Sequence, residues 1–177
     1  AKPRRTEEEI ARECPWASNG HGLKQRKPQV ITSLELQPDI MEVRNRHLQA
    51  KYKLIQENEV RYEAHCTDDA DYVIVAFGSA ARISQKAIEI AHEKGLKVGL
   101  FRPITLWPFP EQQIRELSHR VKGILVVEIN AGQMVFDVRL AAEGRIPVNQ
   151  YGRLGGIVPS PDEIVDELFK LAEQAGA

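Results

Sequence analysis

Four short apolar runs constrain the fold of this chain more than any other feature. Tyr72–Phe77, Lys97–Phe101, Ile124–Ile129 and Pro147–Tyr151 recur at intervals of about 25 residues, with one helical pattern between each and the next. The first such helix is predicted over Ala80–Lys94. Its apolar face is Ile83, Ala87, Ile90 and Ala91, and Gly95 supplies a left-handed stop. The others are predicted over Glu111–Arg120 and Gln133–Glu143, the latter ended by Gly144. Ser160-Pro161-Asp162-Glu163 opens a last helix with an N-cap, a first-turn proline and a glutamate three residues on. Its core face is Ile164, Leu168, Leu171 and Ala172. Strands alternating with single helices imply right-handed crossovers and a mostly parallel sheet covered on both faces, a three-layer α/β/α fold.

Glu59–His65 differs from these runs. Val60, Tyr62 and Ala64 alternate with charged residues and His65, which predicts an edge strand with one wet face. Upstream, Pro38 to about Glu57 is helical, with Met41, Leu48 and Ile55 seven apart and Tyr52 between them. The stripe is narrow, and it suits either a helix lying on its own domain or a connector packed on another one. Before residue 34 the composition changes. Thr6 and Glu9 form a capping box for a short helix over Glu7–Glu13, and Pro15, Gly20, Gly22 and Pro28 break the rest into an extended arm. The expected division is an arm over residues 1–33, a connector helix over 34–58 and an α/β domain over 59–177.

Composition excludes several classes. The net charge of −1 supplies no positive field for nucleic acid or an anionic membrane. Apolar runs reach about six residues, far short of the roughly 20 of a membrane span. The N-terminus lacks a signal peptide's apolar segment and a starting Met; the expectation is a cytoplasmic piece of a longer polypeptide, or a processed chain. Cys14 and Cys66 form no C-x-x-C pair, so zinc and iron–sulfur ligation is not expected and two free thiols are. No G-x-G-x-x-G, phosphate loop or nucleophile elbow occurs, and histidines 21, 47, 65, 92 and 119 show no H-x-x-x-H spacing. Asp68, Asp69 and Asp71 lie before the first long strand, the wrong end for a phosphoacceptor site.

Ligands of open α/β sheets meet the loops at the carboxyl ends of the strands. Those loops hold the candidate residues. Gly78-Ser79 is either a tight turn with Ser79 as N-cap or a pair of backbone donors for an anion. Arg102, before Pro103, either pairs with a carboxylate such as Glu128 or faces a partner. Trp107 and Phe109 in W-P-F-P either plug the end of the sheet or form an exposed anchor for another chain. Glu128, Asn130, Gly132 and Gln133 make a polar set at a helix start. No nucleophile, base and orienting group can be assembled from these residues.

Three strings carry a resemblance: ADYVIVAFGSAARISQKAIEIAHEKGLKVGLFRPITLWPFP, ILVVEINAGQMVFDVRLA and GRLGGIVPSPDEI. From Ser33 to Leu171 the chain resembles the alpha subunit of 2-oxoacid:ferredoxin oxidoreductases of the 2-oxoisovalerate or 2-oxoglutarate type. More distantly, it is similar to the C-terminal domain of transketolase-like thiamine enzymes. The resemblance implies a five-stranded sheet in order 1-3-2-4-5 with strand 1 antiparallel, and Gly78-Ser79 facing Glu128–Gln133 across a crevice. It implies a parent complex that converts a 2-oxoacid to an acyl-CoA and reduces ferredoxin, using thiamine diphosphate, Mg²⁺ and iron–sulfur clusters. The family's diphosphate–Mg²⁺ motif and ferredoxin cysteines are absent from this chain. No catalytic, cofactor-binding or metal residue is therefore expected in it. Its implied partners are the missing N-terminal domain and the beta and gamma subunits. The other reading is a free-standing small-ligand or anion-binding module.

Overall fold

A computed structural model describes residues 5–17 and 32–176; Gly20, Gly22, Pro28 and most of the expected arm lie outside these. The chain divides into two units, Ala1–Leu48 and Gln49–Ala177. In the first, α1 is Glu7–Glu13, and Thr6 and Glu9 close the expected capping box in both directions. Helix α2, Pro38–Asn58, crosses the division as one continuous element with no fully buried residue. Met41, Leu48 and Ile55 are among its half-buried positions, as their spacing predicts.

The second unit holds a five-stranded sheet: β1 Tyr62–His65, β2 Tyr72–Ala76, β3 Val98–Pro103, β4 Gly123–Glu128 and β5 Val148–Gly152. Its order is β1-β3-β2-β4-β5. Only β1 runs antiparallel, with Glu63 opposite Arg102; the other pairs are parallel. Between and after these strands come α3 Gly78–Glu93, α4 Glu111–Ser118, α5 Met134–Ala142 and α6 Pro161–Gly176.

Because side chains alternate along a strand, the central strands feed two cores. Ile74, Leu100, Leu125 and Val127 pack with α3 and α6 on one face. Val73, Val75, Phe101, Ile124 and Val126 pack with α4 and α5 on the other. A strand buried on both faces reads as a continuous apolar run, and β2 (YVIVA) and β4 (GILVVE) have no exposed residue.

Local chemistry sets the element ends. Ser160 and Glu163 exchange the reciprocal hydrogen bonds of the capping box at the start of α6. Glu143, not Gly144, caps α5 in a left-handed conformation at φ 55°. Its carboxylate is held by Arg115 and Arg145, and Gly144 follows, also left-handed. At the outer edge of the sheet, Arg139 of α5 donates from Nε and Nη2 to the Val148 carbonyl of β5, each at 3.3 Å.

Strand β1 departs from the expected pattern. It is shorter than Glu59–His65, and Tyr62 and Ala64 are exposed whereas Glu63 is half-buried. The cause is cross-strand pairing. Glu63 takes a 2.7 Å bond from Arg102 Nη1, while Tyr62 stacks on Phe101 with centroids 5.0 Å apart. An edge strand has one neighbour, so its pairing partner decides which side chains are covered.

At the opposite end of the sheet Gly152 lies opposite Glu128. A Cβ there would overlap the Asn130 carbonyl oxygen and come within 2.6 Å of Gln150 Nε2. Backbone cannot retreat as a flexible side chain can. Gly152→Ala is therefore expected to lower stability by about 1–3 kcal/mol, read as a lower midpoint in urea unfolding. A second prediction concerns Glu163. The Ser160 N–H, then the Tyr151 hydroxyl, hold its carboxyl below the ordinary value, with Arg153 adding to the effect. A lowered folded pKa contributes stability above the unfolded value of ~4.3, and that stability is lost as pH falls through the folded pKa. The melting-temperature difference between wild type and Glu163→Gln should thus be present at neutral pH and shrink on acidification.

Candidate functional site

The loops after β2, β3 and β4 converge on the carboxyl end of the sheet, and the one after β4 is organised by Glu128. This last residue of β4 is 1% exposed. Helix α5 has no side-chain cap from its own N-cap residue, Gln133, so its first N–H groups need another acceptor. The Glu128 carboxylate is that acceptor. Oε2 accepts from Met134 N at 2.9 Å, Oε1 from Val135 N at 3.2 Å, and both receive Gln133 N at 3.1–3.2 Å. An acidic group at a helix N-terminus also complements the helix dipole. Asn130 is used in the same way: its Oδ1 accepts from Gly132 N at 2.7 Å, which suits Gly132 at φ 107°.

These contacts correct the expected polar set. Glu128 does not pair with Arg102, and its oxygens face the backbone rather than a crevice. Of Glu128, Asn130, Gly132 and Gln133, the Gln133 side chain is the exposed one. Sequence reading places the glutamate beside the helix start, but not that its carboxylate reaches back over residues 133–135; an E-x-N-x-G-Q run at a strand-to-helix junction is the available signal.

The loop after β2 also differs from expectation. Ser79 is not the N-cap of α3; Phe77 is, with no side-chain cap bond. Gly78 enters the helix at φ 57°, a conformation that glycine adopts at little cost. Beside it lies a cavity of about 450 Å³ lined by Gly78, Ser79, Ala81, Arg82, Gln85 and Arg102. Gly78-Ser79 and Arg102 are thus brought together. Residues 128–133 are not among its lining. Arg82 and Gln85 were missed, although they follow Ser79 at helical spacings of three and six.

After β3, the two aromatics of W-P-F-P take different roles. Phe109 packs on the α4–α5 core. Trp107, joined to Pro108 by a cis peptide bond, is 55% exposed beside exposed Leu106 and Ile104. Its ring meets Tyr52 edge-on, with centroids 5.5 Å apart. It borders a groove of about 690 Å³ whose other walls include Lys53, Glu57, Phe109 and Arg115.

The described residues of the site do not assemble acid–base or metal chemistry. Among them no group of three or more His, Cys, Asp or Glu could hold a metal ion, Cys14 and Cys66 are free thiols, and Glu128 is engaged by backbone. These residues therefore do not fit a diphosphate-bound Mg²⁺ or an iron–sulfur cluster. No described helix is long and apolar enough to cross a membrane.

Removing the Glu128 acceptor would leave buried N–H groups without partners. Glu128→Ala should cost about 3 kcal/mol, and Glu128→Gln, which keeps one acceptor oxygen, about 2. Denaturant unfolding checks the size, and hydrogen exchange at residues 133–135 should rise selectively.

The comparisons with known proteins agree with this architecture. The chain is 41% identical over 179 aligned residues to ketoisovalerate oxidoreductase subunit VorB of Methanothermobacter thermautotrophicus, covering 99% of this chain and 49% of the relative. It is 37% identical to 2-oxoglutarate synthase subunit KorA of Methanothermobacter marburgensis, over 58% of this chain and 28% of that one. The chain thus spans about half or less of the length of these relatives. Among solved structures, a 2-oxoglutarate:ferredoxin oxidoreductase from Magnetococcus marinus, with 2-oxoglutarate, coenzyme A and succinyl-CoA bound, superposes with a TM-score of 0.65. It is 26% identical, over 77% of this chain and 24% of that one. A split-gene transketolase in an inactive β4 tetramer shares the fold, with a TM-score of 0.57 and 18% identity over 64% of this chain and 41% of its own. The model of pyruvate:ferredoxin oxidoreductase core domain II matches residues 70–164, the stretch that runs from just before β2 into the start of α6. With more than half of its length so matched, the chain belongs to that family, the transketolase-like domain of 2-oxoacid:ferredoxin oxidoreductase subunits.

Proposed function

We propose that this chain is the second domain of the alpha subunit of a 2-oxoacid:ferredoxin oxidoreductase of the 2-oxoisovalerate or 2-oxoglutarate type, and that it serves assembly rather than chemistry. The observation that carries this reading is the 41% identity to a ketoisovalerate oxidoreductase subunit along 99% of the chain. In this reading the cytoplasmic parent complex oxidatively decarboxylates a 2-oxoacid to its acyl-CoA and passes the electrons to ferredoxin. Thiamine diphosphate, Mg²⁺ and iron–sulfur clusters are held by the alpha subunit's other domain and by the beta and gamma subunits. Residues 34–58 form a connector and 59–177 the α/β domain.

Two features of the site support a docking role. The buried carboxylate of Glu128 is fully engaged in holding α5, which suits a structural loop. Trp107 stands half-exposed on a loop stiffened by Pro103, Pro108 and Pro110, and a rigid exposed tryptophan is a favoured interface anchor.

Two measurements test the proposal. Calorimetry with thiamine diphosphate and Mg²⁺ is expected to show no binding to this chain; tight stoichiometric binding would overturn the division of labour. The chain is also expected to form a stable complex with a co-expressed beta subunit and the alpha subunit's other domain. Trp107→Ala should weaken that complex by roughly 30-fold, the effect of losing an anchor worth about 2 kcal/mol. Unchanged affinity would remove the W-P-F-P loop from the interface.

A further inference from the structure

We infer that the cavity at the carboxyl ends of β2 and β3 binds the phosphate group of a small anionic molecule. The charge there comes from side chains. Two guanidiniums, Arg82 and Arg102, line the cavity together with Ser79 and Gln85, and no carboxylate does.

Arg82 makes no ion pair or hydrogen bond among the described residues. The sequence explains why: positions three and four away along α3 are Gly78, Ser79, Gln85 and Lys86, so no acid lies within reach on the helix face. Elsewhere on α3 a lysine does find its acid, as Lys86 pairs with Glu89 at 2.8 Å. Arg102 is half used: Nη1 bonds Glu63 at 2.7 Å, and the side chain is 41% exposed. A guanidinium carries five N–H donors, so most of Arg102's remain available. The Ser79 hydroxyl and the Gln85 amide also make no hydrogen bond among the described residues.

Shape and charge select the ligand class. Two fork-shaped guanidiniums match the several oxygens and double charge of a phosphate better than a single carboxylate. The volume of about 450 Å³ falls in the range of small-molecule sites and exceeds what a bare ion fills. The phosphate thus comes either as free diphosphate or as the end of a nucleotide-like molecule.

Amide chemical shifts of the 177-residue chain, titrated with pyrophosphate, with ADP and with acetate at constant ionic strength, test the inference. Pyrophosphate or ADP should shift Gly78, Ser79, Ala81 and Arg82 with saturation in the millimolar range or below. Tighter binding of ADP assigns the nucleotide-like source; equal binding assigns the diphosphate alone. Arg82→Gln removes an exposed side chain without a partner, so the fold should survive. It should weaken binding roughly tenfold, the loss of one charge-assisted contact, and Arg102→Gln should act similarly. Arg44→Gln, which alters another exposed arginine, on α2, should change nothing. Shifts that avoid the cavity, undiminished binding in Arg82→Gln, or acetate binding as well as pyrophosphate would overturn the assignment. None of these outcomes bears on the beta-subunit complex, so the two proposals stand or fall separately.

Discussion

The Glu128 carboxylate holds the functional end of this sheet together. Helix α5 begins without a capping side chain of its own, and buried backbone donors left unpaired would cost several kcal/mol. Glu128 supplies both oxygens to three successive N–H groups from the end of the neighbouring strand. That fixes where α5 starts, and with it the Asn130–Gly132 turn and the face that α5 presents to Val73, Val75 and Val126. Gly152 belongs to the same arrangement, because only a residue without Cβ lets the Asn130 carbonyl lie against β5. One polar interaction thereby connects β4, a core helix and the edge strand β5.

Much of the fold was legible in the sequence because its determinants are local. Continuous apolar runs, one alternating segment and helical spacings marked the strands and most helices among the described residues, and the capping residues at Thr6 and Ser160 marked two helix starts. The strand order and the antiparallel β1 followed from the family resemblance. What escaped was non-local. Arg102 was offered Glu128 as a partner because both end parallel strands, but antiparallel pairing puts Glu63 directly opposite. The buried side of β1 was misjudged for the same reason. Ser79 looked like a cap because serine usually is one, whereas Gly78 at positive φ lets the helix begin two residues earlier.

The candidate site was legible as a place more than as an arrangement. Each residue singled out lies in or beside a loop at the carboxyl end of the sheet, yet they fall into three environments. Glu128 and Asn130 serve the backbone, Phe109 serves the core, and Trp107, Arg102 and the Gly78 turn face outward. Polarity and position alone cannot separate these roles, because the difference lies in which donors surround a side chain once the chain is folded. The family match adds that the fold is shared with a split-gene transketolase.

The two rims of the sheet bear on how this domain can associate. Backbone groups at a sheet edge invite another strand. Here one rim is a four-residue strand bearing the Glu63–Arg102 pair, and at the other Arg139 occupies the Val148 carbonyl with two N–H groups. Both devices discourage growth of the sheet by strand addition. A neighbour must then approach across helices and loops, where side chains rather than main chain do the recognising. A sheet that shared its strands with any passing β-edge could not hold one fixed place in a complex; blunt rims make selectivity a property of the surface residues alone.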